Sequence, residues 1–304
     1  MSSFESSRKV FSSLDTFDAT AWNCSFTSED RERAVDGIES GHVLYFKTLA
    51  FSLEAEEKVF LSSTWSDQEA KNISFDPTEG RLRGAKIEGA NGERLAGMMR
   101  RYASDARQLL RCLLPSYAST LKLARTSFRP HEVEGRIASS YRKDDTRLHV
   151  DAFPSRPNQG ARILRVFTNI NPADRPRVWQ IGEPFEAYAG RFLPTVSRPL
   201  PGLAQLESIL GITKGVRTPY DHIMLHLHDR TKGDMTYQRE APRQEVAFAA
   251  GSTWVVFTDQ VLHAAISGQF VLEQTFELPV AAQRQSEKSP LRVLERLTGR
   301  ALAA

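Results

Sequence analysis

The second half of the chain restricts the fold most, because from residue 135 onward it is a succession of short apolar and β-branched runs. Glycine and proline separate these runs, as at residues 157–160 and 198–202. Short runs of this kind that end at turn residues predict β-strands. The predicted strands are residues 162–170, 221–228, 245–249, 252–258 and 269–278. Several strands without long helices between them predict a double-sheet jelly roll.

The first 130 residues and the C-terminal tail have a more mixed pattern. Residues 42–48 and 58–62 are predicted to be short strands, and residues 92–114 an amphipathic helix that ends at Pro115. From Ser289 onward, leucines on one face with arginines around them predict a second amphipathic helix. We therefore predict an α+β fold in a single unit, residues 1–304. Its parts are an N-terminal mixed α/β support region (1–130), a jelly-roll core (131–288) and a C-terminal amphipathic helix (289–304).

Composition excludes several classes of protein. Two cysteines in 304 residues cannot form a disulfide framework and fit a reducing compartment. No stretch reaches the roughly 18 apolar residues of a membrane span, and the N-terminus lacks the apolar core of a secretory signal. The net charge is +3, and there is no zinc finger, Walker loop or dinucleotide-binding turn. We therefore expect a cytoplasmic protein without a nucleic-acid partner.

His149-Val150-Asp151, with His263 far downstream, is the strongest functional signal. Residues two apart on a strand project from the same face, so His149 and Asp151 can hold one ion together. A second imidazole from His263 would complete the 2-His-1-carboxylate facial triad of non-haem Fe(II) oxygenases. Taken alone, the tripeptide also fits a surface histidine beside a turn aspartate.

A second group of histidines offers a rival metal site. If residues 221–228 form a strand, His222, His226 and His228 share one face, and His226-x-His228 with His263 would resemble a cupin-like set. The same histidines could instead bind a substrate or simply be polar wall residues.

Three runs of the sequence closely resemble hydroxylases of 3-deoxy-D-manno-octulosonic acid (Kdo), a sugar of the lipopolysaccharide inner core. They are RLHVDAFPSRPNQGARILRVFTNINP, DHIMLHLHD and GSTWVVFTDQVLHAAISGQFVLEQTF. The resemblance implies a double-stranded β-helix (jelly-roll) core and a dioxygenase that uses Fe(II), 2-oxoglutarate and O2, with ascorbate in a supporting role. The implied reaction is hydroxylation at C3 of Kdo in Kdo-lipid A, giving the octulosonic acid Ko.

The resemblance also implies roles for particular residues. Iron would be held by His149, Asp151 and His263. The 2-oxoglutarate carboxylate would pair with Arg165, which strand alternation places on a buried face; the alternative is an internal salt bridge or an exposed edge. Assisting contacts would come from Tyr141, Asn169 and Gln269, the last standing where such oxygenases usually have Arg or Lys. The sugar would meet His226, His228, Arg177 and Lys232.

The implied substrate is Kdo-lipid A or a related glycolipid, which brings the enzyme to the cytoplasmic face of the inner membrane. The C-terminal helix has two interpretations: an interfacial helix on an anionic membrane, or a helix whose leucines pack on the core. Two other functions fit the pattern. One is an iron oxygenase of the same fold that acts on another sugar, lipid or protein side chain. The other is a non-catalytic jelly-roll module that binds sugar.

Overall fold

The fold is known from a computed structural model that describes residues 13–67, 70, 72–200 and 202–303. Two β-sheets make up its centre. The larger has the strand order β1-β2-β9-β6-β11-β5-β3-β4, and the smaller has the order β10-β7-β8. The strands are β1 (Leu14–Phe17), β2 (Val43–Phe46), β3 (Ile73–Asp76), β4 (Arg81–Arg83), β5 (Lys122–Arg129), β6 (Arg162–Asn169), β7 (Arg177–Gly182), β8 (Arg243–Phe248), β9 (Thr253–Phe257), β10 (His263–Ser267) and β11 (Val271–Leu278).

The larger sheet takes strands from both halves of the chain. All its neighbours are antiparallel except β1 and β2, which pair in parallel. Strand β5, which ends just before residue 130, lies between β11 and β3. The predicted support region and the predicted core therefore share one sheet.

Apolar side chains fill the space between the two sheets. Trp254 of β9 stacks on Phe248 of β8 with ring centroids 4.1 Å apart and on Phe167 of β6 at 5.2 Å. Trp179 of β7 meets Phe167 edge-on at 5.1 Å. Large aromatic side chains in contact across two inner sheet faces are typical of a jelly roll, so the predicted core architecture is confirmed.

Helices cover the outer faces of this core. They are α1 (Ser28–Glu39), α2 (Gly89–Leu113), α3 (Phe185–Phe192), α4 (Leu203–Ile209), α5 (Pro219–Gly233), α6 (Met235–Glu240) and α7 (Pro290–Thr298). The long helix α2 was predicted, and its apolar stripe buries Leu95, Met99 and Tyr102 against the larger sheet. The Tyr102 hydroxyl donates to the Val166 carbonyl of β6 at 3.0 Å, which fixes the helix on the sheet.

One predicted strand is a helix. Residues 221–228 lie within α5, which begins at a capping box: the Thr218 hydroxyl accepts from the Asp221 N–H, and the Asp221 carboxylate accepts from the Thr218 N–H. Pro219 at the first helical position fits the same start. The alternating histidines suggested a strand, but the capping signal before them decides the structure. Residues 58–62 were also predicted wrongly, because Ala55–Phe60 is a 3-10 turn.

The C-terminal helix α7 is present where predicted and packs on the core. Ser289 caps it, and Leu291, Leu294 and Leu302 are buried with side chains of α3 and α5. The interpretation of this leucine face as a membrane surface is therefore wrong. None of the described helices is long and apolar enough to cross a membrane.

Candidate metal centre

Backbone pairing brings the two distant histidines together. His149 and His263 form an isolated antiparallel bridge, in which each N–H donates to the carbonyl of the other at 3.0 and 2.9 Å. Two residues further on, the Asp151 N–H donates to the Thr258 carbonyl at 2.8 Å. The extended backbone places the His149 and Asp151 side chains on the same face, as predicted.

Both imidazoles are held in the same tautomer. His149 Nδ1 lies 2.8 Å from the Arg147 carbonyl, and His263 Nδ1 lies 2.8 Å from the Val261 carbonyl. A carbonyl oxygen only accepts, so both Nδ1 atoms carry the proton and both Nε2 atoms keep a free lone pair. A carbonyl behind each ligating ring is the usual way in which proteins orient metal-binding histidines.

The three ligand atoms form a compact set. One possible ligand atom from each of His149, Asp151 and His263 lies within 4.8 Å of the other two. Among the described residues, this is the one group of His, Cys, Asp or Glu side chains that is close enough to hold a metal ion together. Burial lowers the pKa of both imidazoles below the usual value. Burial alone would raise the pKa of Asp151, but the Arg165 guanidinium, the two imidazoles and a hydrogen bond with Thr258 together outweigh it and hold that pKa well below the usual range. Two neutral imidazoles and one carboxylate fit Fe(II).

A cavity of about 180 Å³ opens beside these ligands. It is lined by three arginines, two aspartates, the two histidines and four apolar side chains: Arg129, Asp145, His149, Asp151, Arg165, Phe167, Arg177, Trp179, His263, Ala265 and Val271. Arg165 Nε, Arg177 Nε and Trp179 Nε1 are buried and have no hydrogen-bond acceptor among the described residues. Buried donors are normally satisfied, so this cavity fits a small anion that is rich in acceptor oxygens.

The three arginines of the cavity differ in their partners. Arg165 bridges two carboxylates, with Nη2 at 3.2 Å from Asp151 Oδ2 and Nη1 at 3.1 Å from Glu273 Oε1. Arg129 also binds Glu273, through Nε at 3.0 Å and through Nη2. Sequence alternation placed Arg165 correctly on the inner face. Its guanidinium, however, already has the internal salt bridges that were the alternative interpretation.

Of the three cavity arginines, Arg177 is the one that pairs with no carboxylate among the described residues. Its Nη1 donates to the Gly268 carbonyl at 2.6 Å, while the side chain is only 3% exposed. Burial lowers the pKa of Arg177, because nothing nearby compensates the charge fully. A charge in this state is costly unless a ligand pairs with it.

The rival histidine site is not formed. In helix α5 the rings of His222 and His226 contact each other at a tilt of 51°, with ring centroids 4.4 Å apart, and neither belongs to the metal group. His228 is on another face and meets His149 edge-on at 5.4 Å. Because α5 is a helix, His226 and His228 do not point the same way.

The remaining predicted site residues do not line the cavity, although Lys232 Nζ lies 3.9 Å from Oδ1 of the lining residue Asp145. Asn169 is buried and donates to the Arg175 and Phe248 carbonyls, and Gln269 donates to the Pro130 carbonyl. Tyr141 is half-exposed in a short turn beside α5. Lys232 is buried, where its Nζ donates to the Arg142 carbonyl at 3.0 Å.

Several residues of the site were not predicted from sequence, among them Arg129, Asp145, Trp179 and Glu273. Trp179 stacks on His263 with ring centroids 4.9 Å apart and forms one wall of the cavity. Glu273 is the counter-charge of Arg129 and Arg165. The available signal for Glu273 was its position in the middle of the predicted strand 269–278. An acidic residue that a strand buries requires a partner.

Comparison with known proteins gives a consistent answer. A model of the 3-deoxy-D-manno-oct-2-ulosonic acid (Kdo) hydroxylase family matches residues 21–301. The Kdo hydroxylase KdoO, a non-heme Fe(II) α-ketoglutarate-dependent dioxygenase solved with α-ketoglutarate and Fe(III), is 52% identical with a TM-score of 0.92, over 95% of this chain and 97% of that one. Its cobalt(II) complex gives 52% identity and a TM-score of 0.93, over 96% and 98%. Its complex with succinate and Fe(III) gives 51% and 0.92, over 96% and 98%. No curated protein sequence matches the chain.

Proposed function

The chain belongs to the Kdo hydroxylase family, and we propose that it uses His149, Asp151 and His263 to hydroxylate Kdo with Fe(II), 2-oxoglutarate and O2. The observation that carries this proposal is that the facial triad lies beside a cavity whose lining residues Arg165, Arg177 and Trp179 each keep a buried donor without an acceptor. Iron and 2-oxoglutarate supply the oxidising chemistry, in which the oxo acid is converted to succinate and CO2 while one oxygen atom is inserted into a C–H bond.

The protein's own part is to orient the ligands. The Arg147 and Val261 carbonyls fix the two imidazole rings, and Arg165 binds Asp151 Oδ2, so that Asp151 Oδ1 remains directed towards His149 Nε2 at 3.8 Å. The ligand set is therefore largely preorganised, which reduces the entropy lost when iron binds.

Arg177 is our candidate for the principal partner of the 2-oxoglutarate carboxylate. It lines the cavity, has no internal carboxylate partner in the described chain, and keeps an unsatisfied Nε. A dicarboxylate would supply both the missing charge and the missing acceptors in the fork geometry that guanidinium groups favour. Arg165 and the Trp179 N–H would add further donors from the same walls.

The sugar would approach from the side of helix α5. His228 is close to His149, and its Nδ1 contacts Asp229 at 2.9 Å, so its ring is held at the edge of the metal site. We propose His228, rather than His226, as the histidine that meets Kdo. The finer parts of the proposal are C3 as the site of hydroxylation, Kdo-lipid A as the substrate, and the cytoplasmic face of the inner membrane as the place of action.

A direct assay tests this function. Purified protein with Fe(II), 2-oxoglutarate and O2 should add one oxygen atom to Kdo in Kdo-lipid A, detected by mass spectrometry and located on C3 by NMR. Asp151→Ala should abolish turnover and iron binding with the fold retained, whereas the matched control Asp105→Ala on helix α2 should retain both. Turnover by folded Asp151→Ala at a near wild-type rate would refute the assignment of the metal site.

A further inference from the structure

Residues 202–217, which we call the docking segment, carry a concentration of exposed apolar side chains. Thirteen large apolar side chains are exposed in the described chain, and six of them lie in these sixteen residues: Leu203, Leu206, Ile209, Leu210, Ile212 and Val216. Ile209 is 81% exposed, and Leu200 just before the segment is 69% exposed. Single exposed apolar residues are ordinary, but a contiguous group marks a surface that another partner covers.

Helix α4 within the docking segment lacks a buried side. None of its residues Leu203–Ile209 is buried, although Leu203, Leu206 and Leu210 follow the spacing of one helical face. In a globular protein, a face of this kind normally packs against the core. Here the core is covered by α3, α5 and α7 instead, and the apolar face of α4 is directed to solvent.

The exposed charges of the segment and of the residues just before it are basic, and Glu79, between β3 and β4, lies near one of them, Lys214. Lys214 in the segment and Arg198 just before it are exposed cations. Glu207 is the segment's one acidic residue, and Arg217 neutralises it at 2.8 Å. A symmetric contact with a second copy would bring these cations against each other, which is unfavourable. An anionic lipid surface satisfies both the apolar face and the charge.

The docking segment is attached to the loop that follows the metal ligand Asp151. The Lys214 N–H donates to the Ser155 carbonyl at 2.9 Å, and Arg217 Nη2 donates to the Pro154 carbonyl at 2.6 Å. A surface placed on the bilayer by this segment therefore lies beside the iron site. A membrane-anchored glycolipid carries its sugar directly above the lipid headgroups, so a surface of this kind would bring the metal site to its substrate.

We propose that the docking segment binds the surface of an anionic phospholipid bilayer and inserts Leu206, Ile209 and Leu210 among the lipids. The inference rests on the proposed function, since it assumes a glycolipid substrate. It replaces helix α7, whose Leu291 and Leu294 are buried in the core, as the membrane-binding element.

Vesicle sedimentation of the full-length protein tests the proposal. Wild type should sediment with vesicles of phosphatidylcholine and phosphatidylglycerol, less with phosphatidylcholine alone, and less at high salt. The triple variant Leu206→Gln, Ile209→Gln, Leu210→Gln should bind at least about tenfold more weakly, because three apolar side chains no longer leave water. A matched control, Val59→Gln with Leu123→Gln, changes exposed apolar residues elsewhere and should bind like wild type.

Two further measurements separate the outcomes. Amide hydrogen exchange of the wild type should slow in residues 202–217 when vesicles are added, and this needs no variant. Hydroxylation of a water-soluble Kdo glycoside should be the same in wild type and in the triple variant.

Several results would overturn the inference: no binding of wild type to phosphatidylglycerol vesicles, unchanged binding of the triple variant, or unchanged exchange in the segment. A wild-type dimer that the triple variant dissociates, without vesicle binding, would assign the surface to self-association instead. In all these cases, retained turnover of the soluble glycoside leaves the proposed function standing. Vesicle binding without hydroxylation of any Kdo substrate would refute the function and not the docking surface.

Discussion

Arg177→Leu should have opposite effects on the stability of the protein and on its affinity for 2-oxoglutarate. In the ligand-free protein the substitution removes a buried guanidinium whose hydrogen-bond partner among the described residues is the Gly268 carbonyl. A hydrogen bond from a charged group contributes about 1.5–3 kcal/mol, whereas burial of an uncompensated charge costs several kcal/mol. We therefore expect the free energy of unfolding to stay equal or to rise by on the order of 1 kcal/mol.

The affinity for 2-oxoglutarate should fall steeply in the same variant. Loss of a buried charge-assisted pair costs about 2–5 kcal/mol, which corresponds to roughly 30- to 4,000-fold weaker binding at about 1.4 kcal/mol per tenfold change. At a cosubstrate concentration near 100 times the wild-type Kd, the ligand stabilises the wild type by about 2.7 kcal/mol. After a loss of on the order of 10²-fold, the same concentration stabilises the variant by less than about 0.5 kcal/mol.

Thermal unfolding with and without 2-oxoglutarate, together with anaerobic calorimetry on the Co(II)-loaded protein, measures both effects. The control Arg175→Leu removes a half-exposed arginine that pairs with Glu132 at 3.5 Å, and it should keep wild-type affinity. Metal affinity should be unchanged in Arg177→Leu. Wild-type affinity for 2-oxoglutarate in Arg177→Leu, with loss of affinity in Arg165→Leu at unchanged metal binding, would return the anchor to Arg165 and refute this reasoning.

Two predictions concern stability. Arg162→Met should lower the free energy of unfolding by about 3–5 kcal/mol, as measured by denaturant unfolding. The reason is that the fully buried Asp259, which lies 2.7 Å from Arg162 Nε, loses its counter-charge. The double variant with Asp259→Asn should recover part of the lost stability. Leu294→Ala should lower the free energy of unfolding by about 2–5 kcal/mol, because Leu294 is fully buried. Deletion of residues 289–304 should prevent folding for the same reason. A deletion protein that circular dichroism shows to be folded would contradict the packing described for α7.

The metal site could be read from the sequence because its chemistry is concentrated in a short motif. His149 and Asp151 share a strand face by simple alternation, and His263 follows a predicted strand. The strand containing Arg165 was also predicted, with Arg165 and Phe167 on one face, and both line the cavity. These features depend on local periodicity, which a single sequence displays directly.

The partners of buried charges could not be read in this way. Alternation shows that Arg165 is inside, but its carboxylate Glu273 belongs to β11, more than 100 residues later, and the two meet only through sheet register. The strand prediction for residues 221–228 was wrong for another reason. Alternating histidines have the period of a strand, but Thr218, Pro219 and Asp221 before them form the start of a helix. The leucine face of α7 has the same pattern whether it meets core or lipid, so only the structure distinguishes the two.

The backbone bridge between His149 and His263 also has a consequence for how the enzyme can diversify. The two ligands are positioned by their own reciprocal hydrogen bonds, so the separation of the imidazoles does not depend on the length of chain between them. Insertions and exchanges in the surface loops of that intervening chain, such as the docking segment, can alter what is recognised while leaving the iron ligands, Asp151 included, in place. New substrate ranges are therefore accessible to this scaffold through loop replacement, with the oxidative chemistry inherited unchanged.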